Sequence, residues 1–184
     1  MVISNRKDAF GLERAREHGI PREIVDHRNY GSREDFEGEL IRLIDKSGAD
    51  LICLAGFMRV LSPHFVRYYK HRLMNIHPAL LPAFPGIRGK KDALDYGVRF
   101  SGATVHFVDE GTDTGPIIIQ AVVPVYQSDT EEVLGARILV QDHRIYPLAI
   151  KYLFEGRLKI IGRKVVYKSD REIEKFASIN PSEP

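Results

Sequence analysis

Asn75, His77 and Asp113 have the side-chain types for acid–base work at a carbonyl group. Asn75 and His77 stand two residues apart at the end of an apolar stretch, so both project to one side if a strand runs that far. An amide donor in such a place stabilises an oxyanion, and a neighbouring imidazole shuttles a proton. The plain alternative is an asparagine that makes a turn and a histidine satisfied by a backbone carbonyl, and spacing alone favours it. The next segment, Pro78-Ala-Leu-Leu-Pro-Ala-Phe-Pro-Gly86, shifts the balance, because a stiff apolar loop is a costly way to make a simple connection. Asp113 lies in Gly-Thr-Asp-Thr-Gly-Pro, where a carboxylate ordinarily serves a turn. Its functional reading requires it to meet His77, which spacing does not establish. His106, inside Thr104-Val-His-Phe-Val108, reads as a hydrogen-bonded structural histidine.

No nucleophile stands at the centre of this set, so proton transfer and charge stabilisation fit it better than covalent catalysis. The seven histidines show no zinc-type spacing and Cys53 stands alone, so no metal site is expected. Neither a Walker A motif nor Gly-x-Gly-x-x-Gly occurs. The basic clusters Arg14/Arg16, Arg67/Lys70/Arg72 and Lys90/Lys91 lack interleaved aromatics and read as solvated faces. With 27 Lys and Arg against 25 Asp and Glu, the net charge of +2 suggests no nucleic-acid partner. The 184 residues, 43% hydrophobic and 28% charged, predict one soluble globular domain. No apolar run approaches the ~20 residues of a membrane helix, and the opening Met-Val-Ile-Ser-Asn has no signal-peptide pattern, so a cytoplasmic protein without membrane partners is expected. Cys53, in Leu51-Ile-Cys-Leu-Ala55, reads as a small buried hydrophobe.

Ligands in open parallel sheets bind outside the carboxyl ends of the strands, so strands must end at the candidate residues. Helix and strand signals alternate, which predicts an α/β fold, a Rossmann-like and mostly parallel sheet with helices on both faces. Strands are expected at Met1 to Ser4, around Ile24-Val25, at Leu51 to Ala55, Arg72 to Ile76, Gly102 to Val108 and Ile117 to Val125. Asp8 offers a helix cap, Ser32 with Asp35 a capping box, Ser62-Pro63 a helix start, and Ser128 with Glu131 a second capping box. Phe36, Leu40, Ile41 and Ile44 share the buried face of one helix, and Pro147 should kink a later one. Leu158 to Tyr167 predicts a hairpin, followed by a polar tail over 168–184.

Met74-Asn-Ile-His-Pro-Ala-Leu-Leu-Pro-Ala-Phe-Pro-Gly86 and Ser101-Gly-Ala-Thr-Val-His-Phe-Val-Asp-Glu-Gly-Thr-Asp-Thr-Gly-Pro116 closely resemble the phosphoribosylglycinamide formyltransferase family, a branch of the folate-dependent formyltransferases. The likeness extends through Ala55-Gly-Phe-Met-Arg-Val-Leu-Ser-Pro63, His143-Arg-Ile-Tyr-Pro-Leu148 and the opening Val2 to Ala15, fading after about Lys159. It implies a formyltransferase domain over 1–167 that moves a formyl group from 10-formyltetrahydrofolate, as cosubstrate, to the amine of glycinamide ribonucleotide in purine biosynthesis. Asn75, His77 and Asp113 match the family's catalytic residues. The resemblance places folate against Met58, Arg59, Val60 and Leu61 and the backbone from Val108 and Asp109 to Asp113, with Arg59 and Arg33 toward its glutamate tail. Gly56, Pro78 and Asp142 match the ribonucleotide side, where the family commonly carries glutamate in place of Asp142.

The family begins with a central strand, a phosphate-cradling loop and a helix. The chain opens at the equivalent of the second strand, so that first βα unit, roughly 30 residues, is expected to be missing here and supplied by an upstream extension of the working protein. A formyltetrahydrofolate deformylase and a non-catalytic folate- or nucleotide-binding module stay open as alternatives. Pro78 after His77 and the match of the opening segment favour the glycinamide enzyme. The expected partners are small molecules, and the expected assembly is a monomer or homodimer.

Overall fold

Each run anticipated as a strand forms one, although the second lies earlier at Arg22–Ile24, the fourth continues to His77 and the fifth begins at Phe100. The computed structural model describes residues 1–168, so the tail over 169–184 lies outside the described residues. The chain divides into two compact units. The first holds Met1–Asp50 and Leu61–Tyr68, and the second joins Leu51–Val60 to the chain from Tyr69 onward.

In the first unit β1 (Val2–Ser4) and β2 (Arg22–Ile24) pair in parallel across α1 (Phe10–Glu17), with α2 (Arg33–Ser47) and α3 (Pro63–Tyr68) beyond. Asp8 does not cap α1. The cap position is Ala9, without a side-chain bond, and Asp8 pairs with Arg6 at 2.8 Å. Ser32 does cap α2, its hydroxyl accepting from Asp35 N at 3.0 Å. The buried face of α2 carries Phe36, Leu40, Leu43 and Ile44, and it also buries Glu37. Ser62 Oγ accepts from Phe65 N at 3.2 Å, capping α3 just ahead of Pro63. Glu37 Oε1 in turn accepts from Ser62 N at 2.7 Å, while its other oxygen accepts from the Ser62 hydroxyl. A buried carboxylate thus secures the start of the next helix.

The second unit is built on a sheet ordered β3 (Ile52–Leu54), β4 (Leu73–His77), β5 (Phe100–Phe107) and β6 (Ile117–Pro124). The expected parallel sense holds for β1 with β2 and β3 with β4. β5 and β6 run antiparallel to their neighbours, so the sheet is mixed. The loop over 108–116 is short, which suits an antiparallel return and rules out a crossover helix. Alternation then sorts the faces. Met74 with Ala103, Val105 and Phe107 packs against Leu134, Ile138, Ile145 and Ala149 of α5 (Glu131–Phe154). Asn75, His77, Thr104 and His106 project the other way.

α5 starts later than the Ser128/Glu131 box suggested. Asp129 closes a turn by accepting from Tyr126 N at 2.9 Å and pairing with Arg137 at 2.7 Å, leaving Thr130 as the cap. Pro147 lies inside α5 without ending it. Tyr146 of α5 holds its hydroxyl 2.9 Å from Leu54 O and 3.0 Å from Met74 O, tying the helix to the end of β3 and to β4 just before Asn75. Cys53 is exposed, contrary to the buried reading, because β3 has a strand neighbour on one edge only among the described residues. The expected hairpin is present as β7 (Leu158–Ile161) and β8 (Lys164–Tyr167).

Replacing Glu37 with alanine leaves Ser62 N–H buried without an acceptor. That change should destabilise the protein by about 1–3 kcal/mol, read as a lower urea midpoint, whereas Glu37→Gln keeps one acceptor and should lose less.

Candidate active site

β4 runs through His77, so Asn75 and His77 do share a face, as two-residue spacing requires. Antiparallel register sets Asn75 opposite His106 and His77 opposite Thr104. Asp113 arrives from the β5–β6 loop. Asp109 Oδ1 organises that loop by accepting from Gly111 N at 3.1 Å and from the Thr114 hydroxyl at 2.6 Å. Gly115 sits so close to the backbone that a Cβ there would lie 1.7 Å from Phe107 O. Asp113 itself takes the left-handed φ of 54°, a conformation that aspartate tolerates better than most residues.

These elements bring Asn75, His77 and Asp113 together. Asp113 Oδ2 accepts from Gly86 N at 2.7 Å and lies 3.3 Å from His77 Nδ1. Its Oδ1 lies 3.5 Å from Asn75 Nδ2 and 3.6 Å from His106 Nε2. His77 is 3% exposed, and its Nε2 is 2.8 Å from Phe84 O. A carbonyl only accepts, so Nε2 carries a proton. Nδ1 faces the Asp113 carboxylate, so a proton taken up at Nδ1 would be donated to Asp113. His106 Nδ1 is 2.8 Å from Phe107 O and so donates, which leaves Nε2 of the neutral ring to accept from Asn75 Nδ2 at 3.2 Å. One Asn75 N–H is thereby fixed on His106. The other makes only the long contact to Asp113 and remains the one best placed for an incoming oxygen.

Burial pushes the Asp113 carboxyl up, but the Gly86 amide and the charge that His77 carries when protonated outweigh it and hold the group below the usual carboxylate range. An anionic carboxylate, an imidazole and an amide in mutual contact can move a proton and stabilise charge developing on an oxygen. Among the described residues, no group of three His, Cys, Asp or Glu side chains is placed to hold a metal ion.

The remaining expected site residues are distributed as follows. Gly56 follows β3 with a left-handed φ of 62°. Met58 and Val60 are exposed apolar side chains at 69% and 61%, and Arg59 beside them is exposed. Val108 and Asp109 lead out of β5, and Pro78 directly follows His77. Leu61 and Arg33 belong to the first unit, where Leu61 is buried and Arg33 lies 3.8 Å from Glu34. Asp142 on α5 has a buried Oδ1 with no hydrogen-bond partner among the described residues, and burial raises its pKa to about 6 despite His143 and Lys90.

Sequence reading left out Phe84, Gly86 and Gly89, and it gave His106 no part in the site. A Cβ on Gly89 would stand 3.1 Å from His77 Nε2 and 3.0 Å from Phe84 O, so the close packing around the imidazole uses the absence of a side chain. The polar alternation of Thr104-Val-His106 opposite Asn75-Ile-His77 was the available signal, once antiparallel pairing is assumed.

The sequence model of the formyl transferase family matches residues 1–150. The chain is 49% identical over 159 residues to the phosphoribosylglycinamide formyltransferase of Escherichia coli K12, covering 86% of this chain and 75% of that protein. It is 50% identical over 156 residues to the trifunctional purine biosynthetic protein adenosine-3 of Drosophila melanogaster, covering 85% of this chain but 12% of that protein. Among solved structures, glycinamide ribonucleotide transformylase 1 from Symbiobacterium toebii aligns with a TM-score of 0.88 at 50% identity, over 90% of this chain and 78% of that one. The fold is thus the Rossmann-like formyltransferase fold.

Asp113 has a depressed pKa, so folding favours its ionised form. Its stabilising contribution should be present above the ordinary carboxylate range and fade as the pH falls through its folded pKa. Asp113→Asn, which keeps a residue tolerant of left-handed φ, should therefore be less stable than the parent at pH 7. Urea midpoints of the two proteins should converge on acidification.

Proposed function

Because the chain belongs to the formyl transferase family, we propose that it transfers a formyl group from 10-formyltetrahydrofolate to the amine of glycinamide ribonucleotide. The observation that carries this reading is the convergence of Asn75, His77 and Asp113 at the strand ends, on a frame shared with proteins of that name. Bound 10-formyltetrahydrofolate supplies an activated formyl carbon. Its ring system would rest on the exposed Met58 and Val60 beside the backbone of 108–113, with Arg59 toward the anionic tail.

The Asn75 N–H that makes the long contact to Asp113 donates to the formyl oxygen as the new C–N bond forms and charge gathers there. His77 and Asp113 hold the proton that leaves the attacking amine, then return one to the departing folate nitrogen as the old C–N bond breaks. His106 keeps the Asn75 amide turned the right way. No charge need leave the site, because one proton moves between groups already in contact. Asp142 would offer its carboxyl group to a ribose hydroxyl.

The direct test is an assay with both substrates, following formylated nucleotide and formate separately. Formylated nucleotide formed in step with tetrahydrofolate is expected. Release of formate independent of the nucleotide would instead indicate a deformylase, and binding without turnover a non-catalytic module. His77→Ala should lower kcat by about 10²–10⁴ and Asn75→Ala by about 10²–10³, with folate binding retained in both.

Asp142 supplies a pH test. A hydroxyl donating to Asp142 favours the carboxylate, so ribonucleotide binding should expel a proton near pH 6 and tighten as the pH rises from 5 to 7. The nucleotide phosphate titrates in the same range. The difference between parent and Asp142→Asn in calorimetric proton release therefore isolates the carboxyl group, and it should vanish by pH 8.

A further inference from the structure

The loop between β4 and α4 (Gly89–Tyr96) makes both backbone contacts that fix the acid–imidazole pair. Phe84 O receives His77 Nε2 at 2.8 Å, and Gly86 N donates to Asp113 Oδ2 at 2.7 Å. Neither contact involves a side chain of the loop, so the positions of two peptide groups set the geometry of the pair. What holds those peptide groups lies on the neighbouring strands. Thr104 stands opposite His77 on β5, and Gln120 stands opposite Thr104 on β6, so the three form one row across the sheet.

The Thr104 hydroxyl donates to Ala79 O at 2.7 Å and accepts from Leu81 N at 3.1 Å and Gln120 Nε2 at 3.0 Å. Gln120 Nε2 sends its other hydrogen to Leu81 O at 2.9 Å. The hydroxyl uses its one donor and two acceptor sites, and the amide nitrogen uses both hydrogens. The set is closed, with Thr104 fully buried and Gln120 at the exposed rim. Because Leu81 O can only accept, the orientation of the Gln120 amide is fixed as well.

We infer that Thr104 and Gln120 are positioning residues for His77 and Asp113, acting through the backbone of the loop 78–86. They touch neither imidazole nor carboxylate. They hold Ala79 and Leu81, and so set where Phe84 O and Gly86 N reach. The catalytic meaning of this role rests on the transferase reading, but the geometric claim stands apart from it.

The test uses Thr104→Val, which is close to isosteric and removes all three bonds, against Thr104→Ser, which keeps the hydroxyl. Gln120→Glu at the rim keeps the shape but cannot donate to either partner when ionised, and its exposed position makes it the variant most certain to fold. Two readouts are taken on the full chain at neutral pH: the ¹⁵N shifts of the His77 ring, and kcat and KM with both substrates. Thr104→Val and Gln120→Glu should move the His77 signals and lower kcat at least tenfold, with KM for either substrate within about threefold of the parent. An effect of that size corresponds to at least about 1.4 kcal/mol of transition-state stabilisation. Thr104→Ser should restore both. Unchanged His77 signals in folded Gln120→Glu would overturn the inference, as would equal losses in the serine and valine variants. An inactive parent whose His77 signals still respond would count against the transferase reading alone.

Discussion

A carboxylate that is drawn out of water reverts to its neutral form unless its surroundings replace the lost hydration. Asp113 is placed under that pressure and stays anionic because Gly86 N, His77 and Asn75 surround it, with His106 orienting the Asn75 amide. They come from β4, β5 and the loop after β4, so this one charge ties together elements far apart in sequence. The dependence runs both ways. The loop can hold its aspartate in a left-handed conformation because the partners over-determine it, and the partners are oriented because the charge is there.

The mixed sheet makes this convergence possible. An antiparallel β5 lays His106 directly across from Asn75 and Thr104 across from His77, so two short alternating segments combine into one polar patch. The same alternation sends Met74, Val105 and Phe107 into contact with α5, giving the patch a rigid apolar backing. Tyr146 then pins α5 to the carbonyls of Leu54 on β3 and Met74 on β4. Burial raises the Tyr146 phenol well above its usual range, so it remains a neutral donor at any working pH.

Much of this was legible in the sequence, and the gaps have physical causes. Strand positions followed from apolar runs, and the shared side of Asn75 and His77 followed from two-residue spacing. The meeting of Asp113 with His77 did not, because a loop's path depends on contacts such as Asp109 with Thr114 and Gly115 with the Phe107 carbonyl. The sheet was expected to be mostly parallel because helix and strand signals alternate. Those signals do not say that the chain returns reversed after α4. Glu37 broke the helical pattern of apolar residues, since a buried carboxylate is satisfied by a distant Ser62 that no local rule brings near. Asp8 looked like a cap by type alone, and a nearby Arg6 took it instead.

Phe84 shows why the missing information lay in backbone atoms. A phenylalanine with a φ of 53° is strained, and such a conformation persists only where its surroundings leave no alternative. Here the carbonyl is held by His77, the ring packs edge-on against Tyr96 with centroids 5.8 Å apart, and the preceding residues are bound to Thr104 and Gln120. Gly89 leaves the space in which the carbonyl and the imidazole meet. None of these loop residues carries a titratable group, so a search for acids and bases passes over them. Yet an imidazole turned by a fraction of an ångström away from Asp113 loses the contact that lets the pair share a proton. The chemistry of His77 is therefore specified as much by peptide groups and an absent side chain as by its partners Asn75 and Asp113.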